Sequence, residues 1–216
     1  MGMGDLDVYV QDFERPLVQA TRAYYKNKAA QWITTDDTPS YMVKAENALA
    51  SEKERVRAYL MGSTEAKLLR ACEIELLEFH EQALLEKEGS GVMALLKQDR
   101  REDLSRMYRL FVRVENGLQP IADLVQRFVQ EQGTGIVEKR ASNIAEEKKE
   151  SSSDPEFVNG LLRLHEHYSN VIAKEFAGNS LFERALKEAF ESFVNKNVGR
   201  HNNAELFATF VDKLLK

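Results

Sequence analysis

Apolar residues recur at helical spacing from one end of the chain to the other, and no alternating run of Val, Ile, Thr and aromatic residues bounded by turns reads as a strand. The pattern predicts an all-α fold. A first helix is expected from about Asp5 to Thr34, with Phe13, Leu17, Ala20, Tyr24 and Trp32 on one broad face; Pro16 within it marks a kink or a late start. Thr38 ahead of Pro39 reads as a capping side chain followed by proline at the first helical position, opening a second helix that reaches about Leu60. A third extends from the Gly62-Ser63-Thr64 punctuation through LLRACEIELLEFHEQALLE towards Gly89. Asp99 with Glu102 resembles a capping box for DLSRMYRLFVRV, which Asn116-Gly117 ends. Pro120 sits in the first turn of a fifth helix running to about Gln132.

Gly133 and Gly135 interrupt that pattern, and the following EKRASNIAEEKKESSSD is almost wholly polar, with few residues able to anchor it to a core. Beyond it, capping boxes at Ser153-Asp154-Pro155-Glu156 and Ser180-Leu181-Phe182-Glu183, and a weaker one from Asn202 to Glu205, open three more helices. The expected organisation is a five-helix unit over 5–132, a polar junction over 133–153, and the first three helices of a further unit over 154–216.

The stretch SLFERALKEAFESFVNKN is unusual among these. Its apolar residues come in adjacent pairs, each pair four residues after the last: Leu181 and Phe182, Ala185 and Leu186, Ala189 and Phe190, Phe193 and Val194. A surface helix needs only a stripe of roughly 100° to face a core. The doubled rows therefore predict two partners, with Phe190 expected in the core and part of Leu181, Phe182, Phe193 or Val194 expected to be exposed, or buried by crystal or dimer contacts, if later helices of the unit are absent.

Composition narrows the function classes. The 216 residues are 43% hydrophobic and 30% charged, with 11 Gly and only 4 Pro, a helix-rich globular profile. The net charge of −5 provides no global field favouring nucleic acid or an anionic membrane. The single cysteine excludes an intrachain disulfide framework and fits a reducing compartment. No basic segment followed by an apolar run opens the chain, and nowhere do about 18 apolar residues run together.

Catalytic candidates do not converge. Of His80, His165, His167 and His201, the pair His165 and His167 lies about 200° apart on a helix and cannot chelate one metal. Leu77, Leu162 and Leu164 stand where the glutamates of a di-iron bundle would precede three of these histidines. Cys72, among Leu69, Ile74 and Leu76, reads as a small apolar filler rather than a nucleophile. No phosphate-loop, dinucleotide, nucleophile-elbow or zincin motif is present. Arg106, Arg109 and Arg113, with Arg100 and Arg101 upstream, form a basic stripe: a docking site for an acidic partner or, given the interleaved Glu102, Asp103 and Glu115, a solvated face. Tyr24, Tyr25 and Trp32 read as packing residues rather than a base-stacking platform. The expected inventory is no catalytic residue, no metal and no cofactor.

Several stretches together resemble the cullin family. YYKNKAAQWI, SYMVKAENALASEKERVRAYL, EDLSRMYRLFVRVENGL, SLFERALKEAFESFVNK and AELFATFVDKLLK are similar, in order and spacing, to the middle of the amino-terminal cullin stalk. The last two look closest to the F-box-associated (SCF-type) class. The resemblance implies five-helix cullin repeats stacked as a rod, with 5–132 as the second repeat and 154–216 as the opening of the third. It further implies a non-catalytic scaffold segment of a cullin-RING ubiquitin ligase, cytoplasmic or nuclear. The F-box adaptor and the RING protein would bind regions not contained in these residues, a cullin exchange factor would touch the outer faces, and neither nucleic acid nor membrane is an expected partner. The alternative left open by periodicity alone is an unrelated helical tether or adaptor.

Overall fold

In the computed structural model of the chain, residues 7–147, 155–195, 197–198, 201–202 and 205 are described. They are helical almost throughout. The chain divides into two compact units, Met1–Leu118 and Gln119–Lys216.

In the first unit a π-helical turn, Tyr9–Glu14, runs without a break into α1, Arg15–Thr35. Proline in a helix removes one N–H and crowds the carbonyl four residues back. Here the turn before Pro16 is widened, with the Arg15 N–H donating to Val10 O five residues back, so the helix continues past the proline.

Helix α2 spans Thr38–Tyr59, and its cap corrects the expectation: Asp37, not Thr38, accepts the Ser40 N–H, at 2.9 Å. Hydrogen bonding from the Ser40 side chain first, and from its N–H second, holds the Asp37 carboxyl below its ordinary range. Thr38 is buried instead, donating its hydroxyl to Leu84 O at 2.9 Å.

The expected third helix is broken. α3 covers Thr64–Leu76, a 3₁₀ turn Glu78–His80 follows, and α4 (Glu81–Leu85) and α5 (Val92–Lys97) complete the stretch. Tyr41 donates its hydroxyl to Leu76 O at 2.8 Å, taking up a carbonyl where the helix stops. The change of direction buries the adjacent Leu76 and Leu77 completely. At Gly91 a Cβ would lie 2.3 Å from Leu85 O, so the turn between α4 and α5 admits only glycine.

Helix α6, Arg101–Phe111, also starts differently: Arg100, not the expected Asp99, stands at the cap position and makes no side-chain cap bond, while Asp99 has left-handed backbone (φ 50°) and accepts from the Arg101 side chain. α3 packs against both α1 and α2. Around it Tyr41, Met42, Leu68, Cys72, Met107 and Phe111 are fully buried.

In the second unit α7 is continuous over Leu118–Glu147, passing through Gly133 and Gly135 rather than ending at Gln132. Gly133 does not break the helix. A Cβ there would fall 2.1 Å from Phe193 Cε1, so the missing side chain makes room for the phenyl ring. The expected polar junction is thus helical over 133–147, while 148–154 lies outside the described residues.

α8 spans Pro155–Glu175 and α9 Ser180–Val194. Between them Ala177 and Gly178 take left-handed backbone, and the Gly178 N–H returns to Ile172 O at 2.9 Å, closing the helix end. Asn179, not Ser180, caps α9 through the Leu181 N–H at 3.0 Å. Val137, Phe157, Val158, Leu161 and Phe193 form the core here. The third helix expected from Asn202 does not start there: a two-residue antiparallel pair, β1 (Asn197–Val198) with β2 (His201–Asn202), occupies that position, and Glu205 is the next described helical residue. Residues 206–216, the rest of that expectation, lie outside the described residues.

Candidate interaction surfaces

The chemical candidates are packed, each for its own reason. The Cys72 thiol is fully buried and pushed up to about 12, by burial first and then by the nearby Glu52 and Glu73 carboxylates. A thiol so placed is a poor source of thiolate at neutral pH. Burial lowers the pKa of His80, whose ring meets Tyr41 edge-on at 6.3 Å. His165 packs edge-on against Phe190 at 5.1 Å and His167 against Tyr168 at 4.8 Å. Among the described residues no three His, Cys, Asp or Glu side chains are grouped to hold a metal ion, and no helix is long and apolar enough to cross a membrane.

The arginine stripe is in part the solvated face its spacing suggested, with 49% of the Arg109 and 44% of the Arg113 side chain exposed, but it is also paired to acids on neighbouring helices. Arg106, with only 13% of its side chain exposed, donates to Glu46 on α2 at 3.0 Å, to Asp103 at 3.0 Å and to Glu102 at 2.9 Å. Arg109 reaches the same Glu46 at 3.0 Å, and Arg113 reaches Glu73 on α3 at 3.4 Å. Burial pushes the Glu46 carboxyl upward, but Arg106 and Arg109 outweigh it and leave the group below its ordinary range. At the bundle surface the stripe links α6 and the turn after it to α2 and α3. Sequence spacing revealed the shared face; it did not reveal Glu46, sixty positions away.

The aromatic residues of α1 divide. Tyr25 is core and donates to the buried Glu52 at 2.8 Å. Tyr24 is 55% exposed, touching Tyr25 edge-on. With Trp32, Ala20 and Ala48 these residues line an open groove of about 740 Å³ between α1 and α2.

The two flanks of α9 are resolved as well. Phe182, Ala185, Leu186, Ala189 and Phe193 are buried, with Phe182 stacked on Phe176 at 4.2 Å. Leu181, Phe190 and Val194 are half-buried along the other edge. Phe190 and Val194, with Ile172, Leu186 and His165, border a groove of about 440 Å³ between α8 and α9. Phe190, expected in the core, packs half-buried against its edge, while of the four residues of which part was expected to be exposed, Leu181 and Val194 are half-buried and Phe182 and Phe193 are buried.

The described residues present helical packing with open grooves between helices. Comparison with known proteins agrees with that picture. Residues 2–216 match the family model of the cullin alpha solenoid domain. The chain is 46% identical over 221 residues to Cullin-1 of Oryza sativa subsp. japonica. It is 42% identical over 215 residues to putative cullin-like protein 1, and 40% over 220 residues to Cullin-2, both of Arabidopsis thaliana. Each match covers 100% of this chain and 30% of the relative.

Proposed function

The chain belongs to the cullin family, whose members are scaffolds of ubiquitin ligases, and on that premise we propose that it serves as a rigid spacer within such a scaffold. It spans about 30% of the length of these relatives, so the proposal concerns a segment's part in a larger task. A spacer performs no bond chemistry. It holds a substrate receptor at a fixed distance from a ubiquitin-conjugating enzyme and so sets the effective concentration of acceptor lysines near the donor thioester.

The observation that carries this reading is the family match across essentially the entire chain. The packing supports it, since α6 and the turn that follows it are tied to α2 and α3 by arginine–carboxylate bonds and α7 crosses Gly133 unbroken. Within the proposal, 5–132 and 154–216 belong to successive cullin repeats of an F-box-type scaffold working in cytoplasm or nucleus. Its partners there would be the adaptor and the RING protein, bound elsewhere on the full-length protein, and an exchange factor on the outer faces.

The test uses the full-length protein carrying this segment. A flexible Gly-Ser insertion in the turn over Val112–Gly117 should leave co-purification with a RING protein intact while slowing ubiquitin transfer to a receptor-bound substrate at least several-fold. Unchanged transfer would overturn the spacer role, and failure to co-purify any RING protein would overturn the ligase assignment.

A further inference from the structure

Helices α1 and α2 each pack on α3 more extensively than on each other, and the space left between them is the open groove of about 740 Å³. Two contacts fix how its walls face. Lys44 Nζ lies over the Trp32 ring at 5.7 Å and Tyr25 donates to Glu52 at 2.8 Å, so the helices run antiparallel along the groove. On α2 the wall is a stripe at helical spacing, Lys44, Ala48, Ser51 and Arg55, about 16 Å long at 1.5 Å per residue. On α1 it is Leu17, Ala20, Tyr24 and Trp32.

The lining is aromatic and cationic. Tyr24 is exposed and Trp32 half-buried, two large rings that folding leaves uncovered side by side with Leu17 and Ala20. Each ring has a lysine over it, Lys28 over Tyr24 at 5.6 Å and Lys44 over Trp32. Lys44 pairs with Asp36 at 2.6 Å and Arg55 with Glu52 at 3.1 Å, yet 43% and 52% of these two side chains stay exposed. An ammonium has three N–H donors and a guanidinium five, so neither head group is saturated by its one carboxylate. Glu52 is buried beneath the groove. With Lys28, Lys44 and Arg55 set against Asp36 and Glu52, this surface is positive in a chain of net charge −5.

We infer that the groove docks an acidic amphipathic helix of a partner protein. Both walls are the middles of helices, whose backbone N–H and C=O groups are already bonded within their own helices. A guest therefore has to satisfy its own backbone, and a helix does so where an extended strand does not. Side chains at i, i+3, i+4 and i+7 of the guest settle between the two stripes, cover Tyr24 and Trp32, and use the low part of the α2 wall at Ala48 and Ser51. Acids on its flank meet Lys28, Lys44 and Arg55. Lys44 and Arg55 stand three turns apart on one face, so the guest's acids are expected about three turns apart as well. This is a binding surface, and it goes beyond the spacer role.

Trp32 is the only tryptophan and lines the groove, so its emission reports occupancy. The purified chain is titrated with a helix-stapled peptide that has leucines at i, i+3, i+4, i+7 and i+11 and glutamates on its flanks. Controls are a twin with lysine for each glutamate and a scramble of the same composition. The glutamate peptide should shift Trp32 emission to the blue and bind at least about tenfold more tightly than the lysine twin, and the scramble should not bind. Lys28→Glu should narrow or invert the preference between the twins, a change of sign that loss of fold does not produce. Ala48→Phe fills the groove and should abolish the shift, with far-UV helicity unchanged in both variants. No shift with the glutamate peptide, equal affinity for the twins, or equal binding of the scramble would overturn the site. A blue shift that grows with protein concentration in the absence of peptide would assign the groove to a second copy of the chain and overturn the partner.

Discussion

The two units solve the same packing problem with different chemistry. In the first, charged and polar side chains reach between elements: Lys67 to Glu14 at 2.5 Å, Arg22 to Glu75 at 2.5 Å, Arg106 to Glu46 at 3.0 Å, and Lys87 to the carbonyls of Ile33 and Asp36 at 2.8 and 2.6 Å. In the second, aromatic rings fill the centre; among the described residues the ion pairs Arg184–Glu188 and Lys187–Glu191 run along one helix at the surface, and the pair that joins two helices, Lys139–Glu156, is long at 3.8 Å and exposed. Element length does not explain the contrast: apart from those of Lys87, which follows the 5-residue α4, these bonds join the longer helices α1 (with the π-helical turn that opens it), α2, α3 and α6, of 21, 22, 13 and 11 residues.

The largest expected effect tests the aromatic side. Phe193→Ala should cost about 3–5 kcal/mol through lost burial and the cavity left behind, whereas half-buried Phe190→Ala should cost about 1–2 kcal/mol. Trp32, the only tryptophan, lies in the first unit, so its fluorescence reports that unit while far-UV circular dichroism reports both. Denaturant melts of Phe193→Ala should show the dichroism transition moving further than the fluorescence transition. Gly133→Ala should also destabilise, by about 1–3 kcal/mol, because its methyl would occupy the space of the Phe193 ring. In a Phe193→Ala background the same change should be nearly harmless, and a cycle without that coupling would break the account of α7.

These predictions also mark what periodicity could and could not reveal. The helical class and the doubled band of α9 are visible in the sequence because burial leaves its spacing there. Which flank is core is not, since Phe190 and Phe193 look equivalent until Gly133 supplies a hole for one of them. Gly133 read as an end for the same reason: a glycine that breaks a helix and one that admits a ring are identical letters. The break at Leu77 was hidden because LLEFHEQALLE keeps helical spacing through it, while the cause, Tyr41 claiming Leu76 O, lies thirty-five positions away. Caps shifted by one residue, to Asp37 and Asn179, because adjacent Asx and Ser or Thr side chains compete for the same role. The arginine stripe was legible as a face but not as a clamp. Spacing along one helix carries no record of the acid opposite.

Acid titration tests the polar side. Glu14 is 2% exposed and accepts from Lys67 at 2.5 Å and from the Thr64 hydroxyl at 2.9 Å. The bond from Lys67 first, and that from Thr64, hold its carboxyl below the ordinary value of 4.5 against the opposing effect of burial. A depressed carboxylate stabilises the fold above the unfolded-state pKa, and that contribution is lost as pH falls from about 4.5 through the folded-state value. Asp37 and Glu46 act in the same direction, whereas Glu73 and Glu81, raised chiefly by burial, oppose them in part. Glu14→Gln should cost about 1–3 kcal/mol at pH 7 and make the stability of the first unit fall less steeply below pH 4.5. Parallel acid profiles for variant and wild type, followed by Trp32 fluorescence, would remove Glu14 from the clamp.

The smallest effect is the sharpest control on the comparison, because it uses the same two residue types. Lys187 and Glu191 are 3.7 Å apart with 74% and 57% of their side chains exposed, and both lie on α9. Such a pair is screened by water and fixed only by two flexible side chains, so Lys187→Ala should change stability by less than about 0.5 kcal/mol. Lys67 and Glu14 join two different elements, and there the carboxylate is buried. Removing Lys67 leaves that carboxylate with the Thr64 hydroxyl alone, so Lys67→Ala should cost about 1–3 kcal/mol. Raising the salt concentration should shrink the Lys187 effect towards zero and leave most of the Lys67 effect in place. If the two substitutions cost the same at every ionic strength, lysine–glutamate pairing does not depend on which unit holds it, and the division between a polar-clamped and an aromatic-packed unit fails.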